Sequence, residues 1–138
     1  MKKLFGAAGC AHASLRILPV IVLVLAVPLA VLAHAQMIRS VPGAGAAMQP
    51  PSQIELWFNE LLDAKFNSIV VFPAAELNAK QRVNLAKGNA RVDPQDRTHL
   101  LVALKPLPPG NYMVEWRVLS LDGHSAPGRF QFKVLGSK

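Results

Sequence analysis

The chain has 138 residues and a formal net charge of +7, a length that provides for one domain and is too short for two ordinary ones. Its basic residues are scattered and not interleaved with aromatic ones, so nucleic acid is not an expected partner. Its single cysteine is Cys10, so the chain beyond it forms no internal disulfide and offers no thiolate to a soft metal.

The first 33 residues have the pattern of a secretory signal, with three basic residues, an apolar run from Ile17 to Ala33 and no acidic residue. The alternative is an uncleaved membrane anchor, but a spanning helix needs about 20 apolar residues. This run has 17 residues and contains two prolines. We therefore predict that residues 1–33 are a cleaved signal peptide and that residues 34–138 form a periplasmic domain outside the membrane. Cleavage lowers the net charge from +7 to +4, because it removes three cations and no anion.

Two cleavage points satisfy the preference for small residues at the exit of the signal. One follows Val31-Leu32-Ala33 and leaves His34 first, and the other follows Ala33-His34-Ala35 and leaves Gln36 first. The residues alone leave this choice open.

The rest of the chain has the alternating apolar pattern of short strands. A loop is predicted over residues 42–52, two short edge strands over residues 74–97, and helical periodicity only over residues 59–66. The main predicted strands are Gln53–Asn59, Ser68–Phe72, Thr98–Leu104, Tyr112–Val118 and Phe130–Val134. About seven short strands separated by turns predict an all-β fold, an immunoglobulin-like Greek-key sandwich or barrel.

The segment Asp122-Gly123-His124 lies in the predicted loop between the last two strands. Held extended, such a segment directs the carboxylate and the imidazole to one side, where both can bind a divalent metal. The alternative is an Asp-Gly turn in which Asp122 caps the loop backbone. His34 adds two nitrogens, its imidazole and its amine, only if it is the mature N-terminus. A set of three nitrogens and one oxygen suits tetragonal Cu(II).

From His34 to Val134 the sequence resembles the CopC family of copper-resistance proteins. The matching segments are His34-Ala35, Ser40-Val41-Pro42, Ile54-Glu55-Leu56-Trp57-Phe58-Asn59-Glu60, Leu107-Pro108-Pro109-Gly110-Asn111-Tyr112, Val114-Glu115-Trp116-Arg117-Val118, Ser120-Leu121-Asp122-Gly123-His124 and Gly128-Arg129-Phe130.

This resemblance implies a small Greek-key sandwich and a non-enzymatic periplasmic carrier of copper. It implies one Cu(II) per chain held by His34, Asp122 and His124, and it favours cleavage after Ala33. Glu60 matches an acidic family position near the metal, which implies a supporting role or that of an occasional ligand; the alternative is an exposed carboxylate at the end of a strand. The protein is expected to be a monomer that passes copper to an inner-membrane transport partner.

Two departures from the family's pattern limit this expectation. Gln36 stands where some members have a second histidine, and Phe72–Val92 contains no methionine or histidine, so no Cu(I) site is expected. His99 is interpreted as a surface or internally paired histidine. The competing functions are a metal-free interaction module and, less favoured, a copper-dependent oxygenase. In the latter case Asp122 would discourage oxygen activation by occupying an equatorial position.

Overall fold

A computed structural model describes residues 34–136, so the predicted signal peptide lies outside the described part of the chain. These residues form eight β-strands and one short 3-10 helix, Ala74–Glu76, which confirms the predicted all-β class. The strands are β1 Met37–Val41, β2 Ala47–Met48, β3 Gln53–Phe58, β4 Ser68–Pro73, β5 Ala86–Val92, β6 His99–Leu104, β7 Gly110–Leu119 and β8 Ser125–Val134. Within residues 34–136, no helix has the length and hydropathy needed to cross a membrane.

The strands form two four-stranded sheets, in the orders β1-β3-β6-β5 and β2-β8-β7-β4. The chain crosses between the sheets after β1, β2, β3, β4 and β6, as in a Greek-key sandwich. The longest ladder joins β7 and β8, which pair from Gly110 opposite Val134 to Leu119 opposite Ser125. This hairpin projects its connecting turn, residues 120–124, from one end of the second sheet.

Alternation along the strands fills the space between the sheets. On β3, Ile54, Leu56 and Phe58 are buried as their period of two predicts. Trp116 of β7 is partly buried against Phe58 and Phe130. A Cβ atom at Gly128 would overlap the Trp116 indole, which occupies the space beside this glycine. The core therefore extends along β7 to Trp116, near the turn formed by residues 120–124.

Several elements differ from the sequence-based expectation. The pattern missed β1 because a bulge between Met37 and Arg39 breaks its alternation, and β2 has only two residues. Residues 74–97 form one strand instead of two, since hydrogen-bonded turns follow the 3-10 helix. The helical periodicity of residues 59–66 was misleading, because no helix forms there.

Candidate metal centre

Three segments meet at one end of the sandwich: the arm that precedes β1, the residues that follow β3, and the turn between β7 and β8. The backbone amide of Gln36 donates to Asn59 Oδ1 at 2.7 Å, and the amide of Asn59 donates to the Gln36 carbonyl at 3.0 Å. Leu62 pairs with Ser120 in an isolated antiparallel bridge. These contacts fix the arm that begins at His34 and the turn that carries Asp122 relative to the same segment, residues 59–62.

The turn between β7 and β8 is closed by its own backbone. The amide of Ser120 donates to the His124 carbonyl at 2.9 Å, and the amide of Gly123 donates to the Ser120 carbonyl at 2.9 Å. Gly123 has a φ of 88°, a conformation that glycine adopts without a Cβ penalty. The Asp-Gly step therefore lets the chain reverse while the side chains of Asp122 and His124 stay exposed to solvent.

Asp122 binds His124 twice. Its Oδ1 accepts the His124 backbone N–H at 3.1 Å, and its Oδ2 lies 2.9 Å from His124 Nδ1. The backbone N–H of His124, followed by its imidazole, lowers the pKa of Asp122 below the ordinary carboxyl value. The capping role of Asp122 is thus present, and it places an ionised carboxylate and an imidazole side by side.

His34 lies at the same corner of the molecule. Its ring centroid is 6.1 Å from that of His124, and the two rings are inclined at 63°. Across residues 34–136, however, no three histidine, cysteine, aspartate or glutamate side chains are already gathered closely enough to hold a metal ion. The structure brings His34, Asp122 and His124 to one end of the domain without closing them into a site. Their nitrogen and oxygen donors are of the type that a borderline divalent metal accepts.

Glu60 lies beside this group. With Leu61, Ser120, Leu121 and Asp122 it lines a shallow groove of about 250 Å³. Glu60 is half-buried two residues after the end of β3, whereas Asp122 is exposed. This carboxylate therefore faces the same small space as Asp122.

His99 lies outside this corner, on the outer face of the first sheet. It is 8% exposed and stacks on Trp57, with ring centroids 4.2 Å apart and planes within 5° of parallel. Its Nδ1 is 3.4 Å from Asp93 Oδ2, and its Nε2 is 2.9 Å from Glu55 Oε2 without hydrogen-bond geometry. Because the carboxylates lie at different ring nitrogens, one metal cannot bind this ring and both of them. His99 is thus buried between two carboxylates, which excludes the surface alternative expected from the sequence.

Sequence reasoning missed the partners of His99. Arg39 covers the other face of Trp57, with its Cζ 4.3 Å from the ring centroid. The pairs Arg39–Trp57 and Trp57–His99 are cross-strand neighbours on β1, β3 and β6. The sequence contained one sign of the cluster around His99: Glu55 and Trp57 alternate with the buried residues of β3 and therefore share its outward face.

Comparison with known proteins identifies the family of this chain. The sequence model of the CopC domain matches residues 37–135. Copper resistance protein C of Escherichia coli is 31% identical over 115 residues, which cover 81% of this chain and 90% of that protein. Copper transport protein CutJ of Bacillus subtilis is 30% identical over 105 residues, which cover 74% of this chain but only 18% of that protein.

A solved structure shows the same fold. The crystal structure of PcoC, a methionine-rich copper resistance protein from Escherichia coli, superposes with a TM-score of 0.63 and 30% identity. The match covers 75% of this chain and 100% of that one. The chain therefore has a copper-related function and belongs to the CopC family.

Proposed function

We propose that this chain, once cleaved after Ala33, is a periplasmic carrier that binds one Cu(II) through His34, Asp122 and His124. It would pass the ion to an inner-membrane transport partner in copper resistance or homeostasis. The observation that carries the proposal is the meeting of the His34 and His124 rings, 6.1 Å apart, beside the ionised Asp122 carboxylate. Copper is the cargo in this proposal, and the protein performs no reaction on it.

The donor set supports divalent copper. The α-amine and imidazole of His34 would close a chelate ring, and His124 and Asp122 would supply a further nitrogen and an oxygen, which suits tetragonal Cu(II). The three methionines of residues 34–138 stand on β1, β2 and β7, in two different sheets. A thioether-rich Cu(I) site is therefore not part of the proposal.

His124 has two ways to bind the ion. Its Nδ1 is engaged by Asp122 Oδ2, so either Nε2 binds the ion or the ring turns away from the carboxylate. Both side chains are exposed, so a change of side-chain conformation would not disturb the core. The Glu60 carboxylate, which lines the same groove as Asp122, would accept hydrogen bonds from the amine or from a water on the ion.

A second candidate function is a metal-free interaction module. The contact between Asp122 and His124 completes the turn without a metal, which favours this alternative. It requires that His34 be removed with the signal, so that the mature chain starts at Gln36.

The mass of the exported protein separates these candidates. A mature chain that starts at His34 and gains the mass of one copper ion under native conditions supports the carrier. A product that starts at Gln36 contradicts it, because the amine and imidazole of His34 would be lost together.

Titration with Cu(II) against a competing chelator then tests the ligand type. Nitrogen ligands must lose their protons to bind a metal, and ordinary imidazoles and amines take up protons near about 6.5 and 7.7–8.0. The affinity should therefore fall steadily from about pH 8 to 5. An affinity that stays constant over this range would argue against nitrogen ligation.

A further inference from the structure

The outer face of the second sheet contains a groove that the proposed copper site does not use. Its volume is about 390 Å³, which lies within the usual range of small-molecule sites. Trp116 and Gly128, which pair across the β7–β8 ladder, line it. The other lining residues come from β4, β7 and β8 and are Ser68, Val70, Glu115, Arg117, Pro127 and Arg129. No residue of the turn 120–124 is among them, so this groove is separate from the one beside Asp122.

Arg117 and Arg129 are placed to act on one ligand. Both are exposed, and they face the same side of the ladder, where Arg117 is opposite Pro127 and Arg129 is opposite Glu115. The two arginines are therefore diagonal neighbours on adjacent strands. Such neighbours lie about 7–8 Å apart, within reach of long side chains. Both guanidinium groups can thus close on a single anion bound between them.

No side chain in the described part of the chain neutralises these two arginines. Glu115 is the cross-strand neighbour of Arg129, but its carboxylate is bound elsewhere, since Arg82 Nη1 donates to Glu115 Oε2 at 2.9 Å. Among the ion pairs of residues 34–136, none involves Arg117 or Arg129. The single carboxylate that lines the groove is therefore already compensated, and the groove keeps two positive charges.

The charges beyond the groove do not reverse this balance. They comprise four anions and five cations: Glu60, Asp63, Lys65, Arg97 and Asp122 toward the turn, and Glu76, Lys80, Lys105 and Lys133 toward the other end. None of them lines the groove. Copper bound at the turn would add positive charge to the nearer end. The electrostatic environment therefore favours an anionic ligand whether or not the copper site is filled.

The groove ends at the loop that follows β4. Phe72, the next outward residue of β4 after Val70, is fully buried, and Arg82 lies over its ring with Cζ 4.5 Å from the centroid. The amide of Val83 donates to Glu76 Oε2 at 2.8 Å, which holds this loop to the 3-10 helix. An extended acidic chain lying along the sheet would meet the loop. A small ligand is therefore more compatible with the groove than a long one.

The lining of the groove indicates the chemistry of that ligand. Guanidinium groups bind carboxylate and phosphate oxygens in a bidentate manner, whereas Val70 and Pro127 offer apolar contact. We propose that the groove binds a small organic anion with two negative charges on phosphate or carboxylate oxygens. Arg117 and Arg129 bind the charged group, and the apolar part of the ligand packs on Val70 and Pro127. This site is independent of the copper proposed at His34, Asp122 and His124.

Calorimetric titration of the exported, metal-free protein at constant ionic strength tests this site. Phenyl phosphate and phthalate represent the two sources of the dianion, inorganic phosphate lacks the apolar part, and benzoate lacks the second charge. We expect one phenyl phosphate or phthalate to bind per chain, about tenfold more tightly than either inorganic phosphate or benzoate. The tighter of the two organic dianions identifies phosphate or carboxylate as the preferred group.

Matched arginine variants locate the binding. Arg117→Gln and Arg129→Gln should each weaken it by about tenfold or more, because each removes hydrogen bonds to a charged group. Arg91→Gln removes the same charge from an exposed position on β5 of the first sheet and should have no effect. Arg82→Gln should weaken binding although Arg82 does not line the groove, because it releases Glu115 to pair with Arg129.

Three results would overturn the proposal. Equal losses for Arg117→Gln and Arg91→Gln would mean a general attraction of anions to a basic protein. Inorganic phosphate that binds as tightly as phenyl phosphate would mean an adventitious ion only. Failure of both organic dianions to bind at millimolar concentration, while a hexaglutamate peptide or vesicles of anionic phospholipid bind, would assign the groove to a macromolecule instead.

Discussion

His99 and His124 each have a ring nitrogen 2.9 Å from a carboxylate oxygen, but in opposite surroundings. His99 is buried, stacked on Trp57 and flanked at both ring nitrogens by carboxylates. His124 is exposed, is bound by Asp122 at Nδ1, and faces a second imidazole, that of His34. Under the proposed function, proximity of a histidine to a carboxylate is a poor indicator of a metal site. What would distinguish the two histidines is whether a ring nitrogen can reach an ion shared with other donors.

The comparison is tested most strongly by removing the proposed chelate. His34→Ala should weaken Cu(II) binding by more than about 100-fold, because loss of an outer-shell partner alone typically costs roughly 10–100-fold. His99→Gln is the matched control, since His99 is the one histidine of residues 34–138 that lies outside the proposed site. Competitive Cu(II) titration of both variants measures the difference. Equal losses would mean that the two histidines have been assigned the wrong roles.

For stability the order is reversed: a substitution at His99 should cost more than one at a histidine of the proposed copper site. His99→Ala removes a buried ring from between Trp57, Glu55 and Asp93, so it should lower the free energy of unfolding by about 1–3 kcal/mol. His124→Ala changes an exposed turn and should cost within roughly 0.5 kcal/mol. Both are measured by denaturant unfolding of the metal-free proteins, because bound copper would itself add stability. A His124→Ala variant that is the less stable of the two would contradict the contrast between the regions.

Glu60 provides an intermediate case, since it shares a groove with Asp122 and is proposed to support the ion. We expect Glu60→Gln to weaken Cu(II) binding by about tenfold, the lower end of the usual range for outer-shell groups. Glu76→Gln is a suitable control, because Glu76 caps the Val83 amide in the loop before β5. No change in affinity for Glu60→Gln would make Glu60 an exposed carboxylate without a role in the site.

The sequence predicted these two regions unequally for a physical reason. The turn at Asp122-Gly123-His124 is local: its capping contacts join residues two apart, so the segment itself contains the information. The cluster at His99 joins β1, β3, β6 and the end of β5, and which residues meet is decided by the register between strands distant in the chain. The alternation of apolar and polar residues predicted the buried face of β3, but it could not predict the cross-strand partners of Trp57.

The smallest expected effect concerns acid stability, and both regions contribute to it. The pKa of Asp93 is lowered chiefly by the backbone N–H of Gln95, with a smaller contribution from His99, and the pKa of Asp122 chiefly by the backbone N–H of His124. A depressed carboxyl pKa stabilises the fold above the unfolded value, and this contribution is lost as the pH falls through the folded value. The metal-free domain should therefore keep its melting temperature from pH 7 to about 5 and lose stability only below the ordinary carboxyl value of 3.8.

Asp93→Asn and Asp122→Asn should each make that acid-induced loss less steep, because each removes one group that must take up a proton. His124→Ala should not, since the largest cause of the lowered pKa of Asp122 is a backbone N–H that the alanine variant retains. Thermal melts of the three variants between pH 7 and 3 decide between these causes. If His124→Ala makes the loss of melting temperature at low pH as shallow as Asp122→Asn does, the imidazole and not the backbone is the principal partner of this carboxylate. The turn would then depend on the His124 imidazole, the same side chain that is proposed to bind copper.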